Sequence, residues 1–111
     1  MKLNHNIFLK KKILIYGLGK SGLSAFNFLK NKSNVFLFDD SKLKDIPAQT
    51  KKKFITFQDI LNFKFDKIIL SPGIDINRCK LSNYLKKNHT KIYSDLDVFY
   101  SFYKNDCITI T

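Results

Sequence analysis

Glutamate is absent from the 111 residues and arginine occurs once, at Arg78, so the formal charge of +11 rests almost wholly on lysine. Lys, Asn, Ile, Phe and Tyr, the residues written with A/T-rich codons, make up more than half of the chain. A biased genome produces such a charge without selection for an anionic partner. The lysines are also scattered, at Lys10 to Lys12, Lys51 to Lys53, Lys86 and Lys87 and singly elsewhere. They read as solvated surface rather than a nucleic-acid stripe with interleaved aromatics. Cysteine is scarce too. Cys79 and Cys107 show no CxxC or Cys/His spacing, which argues against a metal site and reads as two reduced thiols in a cytoplasmic protein. The longest apolar runs, Ile13 to Tyr16 and Ile68 to Leu70, fall far short of the ~20 residues of a membrane helix. No apolar stretch follows the charged start to make a secretion signal. Neither a membrane nor a nucleic acid is expected as partner.

A length of 111 residues with 44% hydrophobic content fits one compact domain with a single core. No repeat or proline-rich linker divides it. Lys12 to Tyr16 is a continuous apolar run ending at Gly17, the pattern of a strand buried on both faces of a parallel sheet. Ser21 to Leu29 carries Leu23, Phe26 and Leu29 at helical spacing, and Val35 to Phe38 is a second buried strand closed by Asp39 and Asp40. Ser41 to Lys52 reads as mostly loop, with Lys53 to Phe57 a weak third strand and Asp59 to Phe63 a short helix. Lys67 to Leu70 forms a fourth strand, Asn77 to Lys87 a helix and Lys91 to Tyr93 a fifth strand. Ser94 then caps a helix carrying Leu96, Phe99, Tyr100 and Tyr103, with Asp97 in its first turn. The aromatics Phe26, Phe28, Phe36, Phe38, Phe99 and Tyr100 follow the period of their elements and are expected in the core. The alternation predicts an α/β fold: a Rossmann-like open parallel sheet of about five strands with helices on both faces.

Gly17-Leu18-Gly19-Lys20-Ser21-Gly22 is a G-x-G-x-x-G placed after a strand and opening a helix. Gly17 allows the tight turn, Gly19 lets an anionic ligand approach the backbone, and Gly22 permits close packing of helix on strand. The free N–H groups at the helix start suit a diphosphate, with Ser21 as a further donor. The second strand ends at Asp39, where a dinucleotide-binding domain places an acid for a ribose diol; Asp40 next to it either shares that role or caps the following loop, and the plainer alternative is that both acids only begin a solvated turn. Ser71-Pro72-Gly73 closes the fourth strand at the same carboxyl edge. It reads either as a plain Pro-Gly turn or as a ligand contact. No G-x-x-x-x-G-K-[ST] is present to bind ATP, His5 and His89 read as surface residues, and no Ser/His/Asp set is spaced as a triad. The segment offers a binding edge and neither catalytic nor metal-ligating residues.

These residues resemble the N-terminal domain of the Mur ligases, most closely the D-glutamate-adding branch. The likeness runs in order from about Lys12 to Thr111 through GLGKSGLSAFNFL, VFLFDDS, IILSPGI, IYSDLDVFY and the closing CITIT. It implies that the sheet binds the UDP part of UDP-N-acetylmuramoyl-L-alanine. Carried over by position, Gly17, Gly19, Lys20, Ser21 and Gly22 meet the uridine and diphosphate. Asp39, Asp40 and Ser41 fall at the uracil or ribose region, and Ser71, Pro72 and Gly73 at the turn beside the diphosphate. The branch often carries Arg two residues after the strand-end acid. This chain has Ser41 followed by Lys42, so a fixed guanidinium contact is replaced at best by Lys42 or Lys44.

The resemblance further implies ATP-dependent amide formation, in which a substrate carboxylate becomes an acyl phosphate and the amine of D-glutamate attacks it. ATP and Mg2+ then belong to central and C-terminal domains that follow. Residues 1–106 are expected to form the UDP-substrate domain, and 107–111 the first strand of a truncated ATP-binding domain, so the 111-residue chain alone should be inactive. The alternative is a free-standing NAD-binding module of a dehydrogenase or regulator, favoured by the spacing from Gly17 to Asp39.

Overall fold

The computed structural model describes residues 7–40 and 46–110. Strands β1 (Lys12–Tyr16), β2 (Asn34–Phe38), β3 (Lys67–Leu70) and β4 (Ile92–Ser94) form one parallel sheet in the order β2-β1-β3-β4. Helices α1 (Lys20–Leu29), α2 (Ala48–Lys51), α3 (Phe57–Asn62), α4 (Ser82–Lys87) and α5 (Asp95–Ile110) make or accompany the crossovers. The central strand β1 pairs along its whole length with β2, Lys12 opposite Asn34 through Tyr16 opposite Phe38. On its other side Ile13 to Tyr16 face Lys67 to Leu70.

The uninterrupted apolar runs of the strands follow from this architecture, because both faces of the sheet are covered. Ile13, Ile15, Val35, Leu37 and Ile69 point to one face, where Ala25, Phe26 and Leu29 of α1 and Val98 of α5 complete a buried cluster. Leu14, Tyr16, Phe38, Ile68 and Leu70 point to the other and meet Ile60 of α3, Phe65, Leu81 and Leu85 of α4. The alternation of side chains along a strand thus supplies two half-cores from one run of residues.

Among the described residues four strands form where the sequence suggests about five. Phe54 makes a single parallel bridge to Leu37, with Leu37 N–H donating to Lys53 O and Ile55 N–H to Leu37 O. The run stops there because Thr56 and Asp59 form a reciprocal capping box that starts α3. The helix expected from Asn77 is confined to Ser82–Lys87. Asp75 Oδ1 accepts from Asn77 N–H at 2.9 Å, and the carbonyl of Asp75 takes the N–H groups of both Arg78 and Cys79, so local turns replace the first helical turns.

Part of the segment expected as a strand over 107–111 is helical instead. Cys107 to Ile110 continue α5, and Thr111 lies outside the described residues. A helix satisfies its backbone groups within itself, whereas a strand needs a neighbour to pair with. At the other end of α5, Ser94 caps the helix as expected: its Oγ accepts from Asp97 N–H at 3.1 Å, and Asp97 Oδ2 accepts from Ser94 N–H at 2.8 Å. This cap sets the rotation of α5 so that Asp95 and Val98 are buried while Leu96 and Tyr100 are exposed, Tyr100 against expectation.

Candidate functional site at the carboxyl edge of the sheet

The crossover after β1 leads to β2 and the one after β3 leads to β4, in opposite directions across the sheet. A crevice therefore opens between the carboxyl ends of β1 and β3, the place where open α/β sheets bind ligands. The glycine loop emerges on one side of it and Ser71-Pro72-Gly73 on the other.

Gly17 has φ +93°, in the left-handed region that favours glycine. A Cβ there would stand 2.9 Å from Ser71 Cβ and 3.1 Å from Ile74 Cγ1, so the two loops are in direct contact. Ser71 ties them together: its Oγ donates to Gly17 O at 2.6 Å and its N–H to Tyr16 O at 3.1 Å. At Gly22 a Cβ would lie 2.1 Å from the Gly17 carbonyl oxygen, which is how closely α1 packs on the strand end. Gly19 and Gly73 are different. A Cβ at either would meet nothing within 4 Å, and Gly19 is exposed at the N-cap of α1. No side chain caps that helix and no acid lies in its first turn, so its positive end faces the crevice with exposed Lys20 and half-buried Ser21 beside it.

The two acids at the end of β2 have separate tasks. Asp39 is half-buried, and its Oδ2 accepts from the N–H of buried Leu18 at 2.6 Å, fixing the glycine loop from the β2 side. Asp40 is exposed, and its Oδ1 accepts from the hydroxyl of Tyr16 at 2.7 Å. Ser41, with Lys42 and Lys44, lies outside the described residues. Sequence reasoning missed Tyr16, which reads as one more apolar strand residue; its place as the last residue before the glycine turn was the available signal.

Burial, followed by the bond to Asp40, pushes the Tyr16 hydroxyl well above its ordinary value of 10.0, and burial raises Tyr84 as well. The folded chain keeps protons that the unfolded chain releases above that value. Stability is therefore full below pH 10.0 and is lost as pH rises from there toward the higher native values. Urea midpoints at about pH 9 and about pH 11 should show this fall, and Tyr16→Phe should reduce its slope.

Over residues 11–93 the sequence matches the family described as the Mur ligase MurD-like N-terminal domain. The chain belongs to that family. Relatives of this MurD-like domain include the UDP-N-acetylmuramoylalanine–D-glutamate ligases of Rickettsia felis, 35% identical over 103 residues, and of Aquifex aeolicus, 31% identical over 101. Each alignment covers 90% of this chain but 23% and 21% of the relative. The ligase of Wolbachia from Brugia malayi is 32% identical over 96 residues, with 80% of this chain and 19% of the relative covered. The MurD-like domain thus spans about a fifth of the length of these curated relatives. No solved structure matches it. The family match includes the glycine loop, both strand-end acids and Ser71 to Gly73.

No group of three or more His, Cys, Asp or Glu among the described residues of the MurD-like domain is arranged to hold a metal ion. The sequence carries no G-x-x-x-x-G-K-[ST] loop of the kind that cradles the phosphates of ATP. No helix among the described residues is long and apolar enough to cross a membrane.

Proposed function

We propose that this chain is the N-terminal, UDP-N-acetylmuramoyl-L-alanine-binding domain of a cytoplasmic, ATP-dependent D-glutamate-adding ligase of peptidoglycan synthesis. The observation that carries the reading is the meeting of the Gly17 to Gly22 loop with Ser71 at the crevice, in a chain of the MurD-like family. In this reading the bare backbone of Gly19 and the first turn of α1, with Lys20 and Ser21, hold the diphosphate. Gly17 and Gly22 allow the close packing that presents it. Asp39 and Asp40 line the uridine end, with Ser41 assigned to it by its place next in the sequence, and the Ser71-Pro72-Gly73 turn closes the opposite wall. ATP, Mg2+ and D-glutamate then belong to the central and C-terminal domains of a longer polypeptide, and this segment delivers the substrate's nucleotide handle to them.

The family match favours this reading over an NAD-binding module. Calorimetric titration of the 111-residue chain distinguishes them. UDP-N-acetylmuramoyl-L-alanine and UDP are expected to bind and NADH not, with no amide product formed when ATP, Mg2+ and D-glutamate are added. A preference for NADH would overturn the assignment, and turnover by the chain alone would overturn the placing of the chemistry elsewhere.

A further inference from the structure

Tyr16 ends the central strand, is fully buried, and lies between Phe38 of β2 and Leu70 of β3 in the strand register. Its ring packs on Phe38 with centroids 5.4 Å apart, which holds the side chain toward the end of β2. There the hydroxyl donates to Asp40 Oδ1 at 2.7 Å, and the Cys79 thiol stands beside the same hydroxyl. A buried phenol would satisfy its donor with any nearby carbonyl. Here it reaches instead to an exposed carboxylate at the mouth of the site. The neighbouring acid is already committed, because Asp39 Oδ2 holds the Leu18 N–H.

We infer that Tyr16 is a positioning residue for nucleotide recognition: it anchors one oxygen of Asp40, leaving the carboxylate aimed at the crevice as an acceptor for the ribose hydroxyls of the ligand. The inference rests on the uridine-nucleotide reading given under Proposed function and adds to it the residue that sets sugar selectivity. A charge-assisted hydrogen bond from a rigid, packed phenol restricts a short exposed side chain that would otherwise sample several rotamers. The ribose diol, with two O–H donors, matches a carboxylate that only accepts. A 2′-deoxyribose offers one donor fewer.

The test is the ratio of affinities of the 111-residue chain for UDP and 2′-deoxy-UDP, by calorimetry. The wild-type chain should prefer UDP by about tenfold. Tyr16→Phe keeps the ring on Phe38 and removes only the hydroxyl, and it should bring the ratio to within about twofold of one, mainly by weakening UDP. Asp40→Ala, at an exposed position, should give the same loss and guards against a folding defect in the first variant. The double substitution should add little to either. A general structural role for Tyr16 would weaken both nucleotides equally and leave the ratio intact. That result, or a wild-type ratio near one, overturns the inference while leaving the uridine reading in place. A wild-type chain that binds no uridine nucleotide overturns the reading itself, and this inference with it.

Discussion

Gly22→Ala should destabilise the chain by about 3 kcal/mol, lowering its melting temperature by about 15 °C, although alanine is the better helix former. Helix propensity alone would favour the substitution by about 1 kcal/mol. Packing overrides it, because the new methyl would stand 2.1 Å from the Gly17 carbonyl oxygen, a backbone atom that cannot rotate away. Relief requires either lifting α1 off the end of β1 or moving Gly17, whose neighbours Ser71 and Ile74 already lie within 3.1 Å of its own missing Cβ. Two other glycines serve as controls in the same thermal melts. Gly73→Ala should be near neutral, since its Cβ meets nothing within 4 Å. Gly19→Ala should also leave the melting temperature within a few degrees, yet in the proposed reading it weakens UDP binding, because its methyl would occupy the ligand's approach to the backbone. A Gly22→Ala chain that melts with the wild type would show that the close approach of helix and strand end is not tight in solution.

The second large effect is expected at Asp39. Asp39→Ala removes the acceptor for the N–H of Leu18, a residue only 3% exposed, and water cannot easily replace it. An unpaired buried donor costs about 1–3 kcal/mol, and the chain should lose about 2 kcal/mol of stability in urea titration. In the proposed reading binding should suffer further, because the same bond fixes the loop assigned to the diphosphate; about a tenfold loss in UDP affinity is expected. Asp40→Ala provides the contrast: it too frees a donor, the Tyr16 hydroxyl, but at an exposed position where water can replace the carboxylate, so the loss should stay under about 1 kcal/mol. Equal melting of the two variants would refute the division of labour between the acids.

The strands of the sheet were legible because each is a short apolar run followed by a turn or helix-start residue, at Gly17, Asp39, Ser71 and Asp95. The glycine loop was legible for a related reason: its spacing encodes steric requirements that the Gly17 and Gly22 geometry meets. What escaped was whatever depends on a partner distant in sequence. Asp39 reads as a ribose acid, and only the fold shows it bonded to Leu18. Phe8 falls in a charged N-terminal arm, yet it is fully buried and meets Tyr93 edge-on at 5.2 Å. On α5, counting apolar residues favours Leu96 and Tyr100, whereas the cap at Ser94 turns Val98 inward and leaves Phe102 packed against the same cluster. The period of a helix is written locally. Its phase is set by where the preceding strand releases it.

One contact in the finished fold bears on how the chain reaches it. Phe28 of α1 meets both Phe99 and Phe102 of α5, with centroids 5.2 and 4.9 Å apart, so the first helix is covered by the last. During synthesis the N-terminal half emerges first, and β1, α1 and β2 are free of the ribosome long before α5 exists. Until then the face of Ile13, Ile15, Val35 and Leu37 has Phe8 and α1 against it and lacks Val98 of α5. The nascent domain therefore passes through a stage in which this layer is only partly closed, and the docking of Phe99 and Phe102 on Phe28 completes it.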